Sequence, residues 1–184
     1  MWKRMLCCAL VMLLATGAAW AQDDLEDDPG YVELDQFEGW FDEEPSIIVN
    51  IKGALLRLVA GASRYEDPDL ADLLYKLKAV QVRGFELDWG SFRGIERRTR
   101  DFARTLERRG WDTVVLVRDD DDEHVHVHVR VDDGAIAGMM VMVISSDDDE
   151  SVFLNIVGEI NPEQIGRIGR KFDIDPLDDI VVDY

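Results

Sequence analysis

Apolar positions recur along the chain with two periods, two and about 3.6, and the switches between them mark out its elements. Over Ser46–Lys52, Ile47, Val49 and Ile51 alternate with polar or outward positions and predict a strand. Leu55, Leu58, Val59 and Ala62 then recur at helical spacing and give a helical apolar face. Asp67-Pro68 is a cap followed by the proline that suits a first helical position. It starts a second helix with Leu70, Leu73, Leu74 and Leu77 on one side. Val80–Leu87 reads as a second strand with Gly84 as a bulge. A third helix over Ser91–Arg109 carries Phe92, Ile95, Phe102, Ala103 and Leu106 on its core face, and Gly110 ends it.

The remainder is strand-rich. Thr113–Arg118, His124–Val131, Ile136–Ile144 and Val152–Val157 are joined by short connections, which predicts an antiparallel meander, and Asp133-Gly134 is a hairpin turn. Gly158 and Glu159 end the last strand. Asn161, Pro162 and Gln164 then form a capping pattern for a final helix with Ile165, Ile168 and Phe172 on its apolar face. Gly166 and Gly169 on that helix point to close packing on the sheet. The fold expected is α+β: a largely antiparallel sheet of about six strands, with three to four helices mainly on one face.

Before the folded body the pattern changes. Lys3 and Arg4 precede the apolar run Met5–Leu14, and Ala19-Trp20-Ala21 has the form of a cleavage site. Residues 1–21 are therefore expected to be a signal peptide cut after Ala21. The run is too short for a comfortable membrane span, so no transmembrane helix is expected in the mature chain. Cys7 and Cys8 lie inside the run, too early for a lipid-anchoring cysteine. Both leave with the leader, so no disulfide or lipid anchor is expected on the periplasmic or secreted product. Residues 22–44 form an acidic, partly disordered segment in which Tyr31, Leu34, Phe37, Trp40 and Phe41 serve as anchors. Residues 45–184 form one domain.

Two stretches carry a family resemblance. Asn155–Phe172, N-I-V-G-E-I-N-P-E-Q-I-G-R-I-G-R-K-F, resembles the C-terminal signature of the bacterial exported family called domain of unknown function 4252. Glu44–Ala60, E-P-S-I-I-V-N-I-K-G-A-L-L-R-L-V-A, resembles its N-terminal part. The similarity spans about Gly30 to Phe172 and implies an exported helix-and-sheet domain. It brings no activity and no site residues. Many relatives look like lipoproteins, from which this sequence departs.

Charge narrows the function classes. The formal net charge is −19, and losing Lys3 and Arg4 makes the balance more acidic. That sign disfavours nucleic acid and weakly favours divalent cations and basic partners. The third helix runs against it: between Ser91 and Gly110 seven arginines face three acids. Arg97, Arg100, Arg104 and Arg108 are candidates for docking an anionic partner, such as the acidic segment of this chain, an envelope protein or lipid headgroups. The competing reading is a solvated face laced with pairs such as Glu96–Arg100.

All three histidines lie in H-V-H-V-H-V-R-V, so period two puts His124, His126 and His128 on one face with Arg130. Asp121, Asp122 and Glu123 lead into that strand, and Asp148 and Glu150 lie in the loop after the next one. A meander brings both loops to one end of the sheet. A divalent cation held by His124, His126 and these acids is one reading. The bland reading, an amphipathic strand with a wet polar face, needs no cation. The strand Met139-Met140-Val141-Met142-Val143 is apolar on both sides and must be covered by helices, the aromatic segment, a second subunit or a partner. No G-x-S-x-G and no mature cysteine is present, so nucleophilic catalysis finds no support. The expected function is a non-enzymatic binding domain of the cell envelope, with no cofactor and with homodimerisation open. The alternative is a metal-binding protein or metal-dependent hydrolase built on the histidine strand.

Overall fold

The computed structural model describes residues 25–88, 90–118 and 123–161. Six strands, β1 (Ile47–Lys52), β2 (Leu77–Glu86), β3 (Trp111–Arg118), β4 (Glu123–Asp132), β5 (Ala135–Ser145) and β6 (Glu150–Ile160), form one sheet. Their order is β1-β2-β6-β5-β4-β3, and every pairing is antiparallel. The last four strands make the meander that their short connections predict. Asp133 and Gly134 both take positive φ in the β4–β5 turn, as a tight hairpin requires. The meander's final strand inserts beside β2, so β6 and β5 are the sheet's central strands.

Three α-helices appear among the described residues: α1 (Gly53–Ser63), α2 (Pro68–Lys76) and α3 (Phe92–Arg108). The α+β class is as expected. Asp67 caps α2 by accepting from the Leu70 amide at 3.1 Å, with Pro68 opening the helix. Gly110, at φ +84°, stops α3. The helices divide between the faces. Leu56 of α1 and Leu73 of α2 pack with Val125, Val127, Val129 and Met139 on one face. Phe102, Ala103 and Leu106 of α3 pack with Phe85, Met140, Met142 and Phe153 on the other.

The acidic segment shares the second face with α3. Phe37 is fully buried, stacked on Phe153 at 4.3 Å, and Phe41 stacks on Phe85 at 4.1 Å. Leu34, Trp40 and Val32 join the same cluster. Polar contacts hold the backbone: Asn155 Oδ1 accepts from the Val32 amide, and its Nδ2 donates to the Gly30 carbonyl, both at 3.0 Å. Gly30 crosses Gly138 so closely that neither has room for a Cβ. The aromatic segment thus covers the methionine-rich strand on one side. Among the described residues, its carboxylates form no ion pair with the α3 arginines. Asp35 instead pairs with buried Arg83 of β2 at 2.6 Å, and Arg98 donates to the Trp40 carbonyl at 2.8 Å.

Several local expectations change. Gly84 is not a bulge. It pairs in register with Ile47 and Val152, and its missing Cβ makes room for Ile47. Gly158 does not end β6. The strand continues to Ile160, and Gly158, at φ +131°, sits where the pairing with Leu77 shifts. Leu77 opens β2 rather than closing α2. The face of α1 picked out by periodicity, Leu55, Leu58 and Val59, is exposed, while Leu56 and Ala60 are buried. The capped helix expected from Pro162 onward, with Ile165, Ile168 and Phe172, lies outside the described residues, as does the leader.

Candidate functional site

Antiparallel register builds three polar rungs into the face under α3. His124 aligns with Ile144 and Ser151, His126 with Met142, Phe153 and Arg83, and His128 with Met140, Asn155 and Gln81. The face that alternation reads as wet is buried: His124, His126 and His128 are 7, 3 and 1 % exposed. α3 lies over them because its apolar stripe, Ile95, Phe102, Ala103 and Leu106, must be buried, and Thr99 on that stripe is buried with it.

Burial sets the protonation of the row. Desolvation pushes His126 down from 6.5 to about 4, and repulsion from His128, Arg118, His124 and Arg100 adds to it. Desolvation also lowers His128, against a smaller opposing pull from Glu107. Both are neutral at pH 7. The Thr113 hydroxyl donates to Glu107 at 2.9 Å, so at 3.1 Å it accepts from His128 Nδ1–H. That assigns the tautomer and leaves His128 Nε2 a buried lone pair with no hydrogen-bond partner. The His126 and His128 rings stack at 6.1 Å and 15°, faces together rather than nitrogens converging.

His124 is the rung that reaches a cleft. A cleft of about 610 Å³ lies beside the first two turns of α3, lined by Arg93, Glu96, Arg97, Arg100, His124 and Ser146. Arg93, Arg97 and Arg100 recur at four- and three-residue spacing, so they share one flank of the helix. Arg100 pairs with Glu96, whose Oε1 also lies 3.5 Å from His124 Nδ1. Phe92 packs edge-on to the His124 ring at 5.3 Å, which fixes its plane. Three guanidinium groups thus meet one carboxylate at the mouth of a cleft whose inner wall is an imidazole. Such a group set binds a carboxylate or phosphate through charge-assisted, bidentate hydrogen bonds.

The other candidates fall elsewhere. Arg104 pairs with Asp101, and Arg108 donates to Thr105 at 2.8 Å; neither lines the cleft. Asp148 is committed to its own turn, bonding the Ser145 hydroxyl at 3.0 Å, and its amide donates back to that oxygen. Glu123 and Glu150 lie across from Ser145 at one end of the sheet. Asp121 and Asp122 lie outside the described residues. Among the described residues no three His, Cys, Asp or Glu side chains converge as a metal site would need.

Sequence reasoning missed Asn155, Arg93, Glu96 as a resident anion, and buried Arg83. The signal for Asn155 was present: one amide inside V-F-L-N-I-V, a run otherwise apolar on both faces.

A family model described as domain of unknown function (DUF4252) matches residues 41–168. No curated protein matches the chain.

Proposed function

The chain belongs to that family of domains of unknown function, and from this premise we propose that it is a non-enzymatic binding domain. Its α3 cleft takes an anionic group, carboxylate or phosphate, presented by a partner in the cell envelope. One observation carries the reading: Arg93, Arg97 and Arg100 gather at a single cleft in a chain of net charge −19. Local concentration of positive charge against the overall sign steers an anionic group to one place and repels it elsewhere. Glu96 and His124 fit the same reading. Glu96 holds Arg100 in place until an incoming anion competes for it, and His124 gives the cleft a polar inner wall.

Export supports the envelope part of the reading. It rests on Lys3 and Arg4, the apolar run and Ala19-Trp20-Ala21, which together direct secretion and cleavage before Gln22 without a lipid. Intact-mass analysis of the exported product checks it. A mass beginning at Gln22 agrees; an acylated or uncleaved product does not.

Capture from envelope extracts tests the binding role. The native protein should retain a partner that elutes with rising salt, and the Arg97→Glu/Arg100→Glu double variant should not. Equal capture by both forms rejects the cleft as the site. The alternative, a divalent-metal protein or hydrolase using His124 and His126, predicts saturable heat on calorimetric titration with zinc or calcium, and loss of that heat in His124→Ala.

A further inference from the structure

From the exposed stripe of α1 and the sheet edge beside it, which no other described strand pairs with, we infer that two copies of this chain pair through α1 and β1 about a two-fold axis. α1 has the periodicity of a core helix, yet it turns its best apolar stripe outward. Leu58 is 69 % exposed, and Leu55 and Val59 are exposed beside it. A helix that contradicts its own pattern marks a surface with a second duty.

The neighbouring edge shows the same feature. β1 is an outer strand with no proline and no bulge, and Ile47 and Ile48 on it are exposed, Ile48 by 59 %. Unprotected apolar edges offer a row of unpaired backbone groups to another strand. β3, the opposite edge, also exposes Val114, Leu116 and Val117, but the register shift between Thr113 and Val115 breaks its regularity.

Charge selects a second copy as the occupant. From Pro45 to Tyr65 the chain has no acid, in a protein with 39 Asp and Glu. Through this stretch two strongly acidic molecules meet with little repulsion. Lys52 precedes α1 and Glu66 follows it, and neither has an ion-pair partner among the described residues. Antiparallel packing of two α1 helices, centred on Leu58 and Val59, brings Lys52 of each copy toward Glu66 of the other. Ala54, Gly61 and Ala62 let the helices approach closely. A two-fold contact of this kind is self-complementary and closes, which is the commonest form of homo-oligomer.

Light scattering coupled to size exclusion, on the purified protein at about 50 μM, a range where modest interfaces are populated, tests the pairing. The native protein should run at twice the chain mass. Leu58→Glu should run as a monomer with an unchanged circular-dichroism spectrum, since Leu58 supports no core, and its thermal midpoint should lose the concentration dependence of the native dimer. Lys52→Glu and Glu66→Lys should each weaken the dimer by about tenfold or more, and combining them should restore it. A monomeric native protein overturns the inference, as does a Leu58→Glu dimer. Failure of the combined variant to recover overturns the antiparallel arrangement. A native monomer that binds anionic vesicles through Leu58 replaces the second copy with a lipid surface.

Discussion

Asn155 sits in the centre of the sheet, and the acidic segment hangs on its side chain. It accepts from the Val32 amide and from Gln81, and it donates to Gly30 and, at 3.1 Å, to the Met139 carbonyl. Asn155→Leu strips partners from buried backbone groups that have no water to turn to. Each orphan costs about 1–3 kcal/mol, so urea unfolding should show a loss of about 2–4 kcal/mol and a segment newly open to protease. A loss under about 0.5 kcal/mol, the range of ordinary surface changes, would mean that the segment is held by its aromatics alone. His126 makes a second residue-scale prediction, with a definite sign. Its folded value of about 4 lies below the ordinary 6.5, so the unfolded chain binds the proton more readily. Stability is intact above pH 6.5 and falls as pH drops from 6.5 to 4, by about 3 kcal/mol from this residue. Chemical denaturation at pH 7 and pH 4, compared with His126→Gln, isolates the contribution. An unchanged pH dependence in the variant would place the proton elsewhere.

At the scale of elements, most boundaries were legible because they rest on local chemistry. Asp67-Pro68, Gly110 and Asp133-Gly134 act within a few residues of themselves, and each does what its type requires. What was not legible depends on partners distant in sequence. Alternation on β4 shows that the histidines share a face. It does not show that α3 lies over that face, because α3 reaches it by crossing from β2, next to one edge of the sheet, to β3 at the other edge. The histidines are therefore an interior wall, not a wet surface. The same limit applies to α1, whose periodicity marks an apolar stripe without saying whether this chain covers it. The aromatic segment was half legible: its rings looked like anchors, but Asp35 meets Arg83 rather than the α3 arginines. Phe37 is its principal anchor. Phe37→Ala should cost about 3–5 kcal/mol, as for other fully buried rings. The thermal midpoint checks this, and no change would mean that the segment is not docked.

For the whole molecule, the sheet acts as a partition. One face carries α1 and α2, with an apolar stripe and the bare β1 edge turned outward. The other carries α3 and the acidic segment over a buried polar row, with one rung, His124, opening into an arginine-lined cleft. The proposed binding and pairing sites thus fall on opposite faces, which lets each be disabled by substitution without touching the other. The arginine cluster was legible as an excess of charge on one helix. Which arginines form a site was not, since only the packing of α3 on β4 separates Arg93, Arg97 and Arg100 from Arg104 and Arg108. Removing Arg93 and Arg97, both exposed, should leave stability within about 0.5 kcal/mol, as exposed charges usually do. The most direct measurement is an NMR titration with inorganic phosphate, following the Nε–H signals of Arg93, Arg97 and Arg100 and the ring signals of His124. A saturable shift at these groups, weakened by salt and absent in Arg97→Glu/Arg100→Glu, is the predicted result. Shifts that are absent, spread over all the arginines, or unchanged in the double variant would contradict an anion-binding cleft on α3.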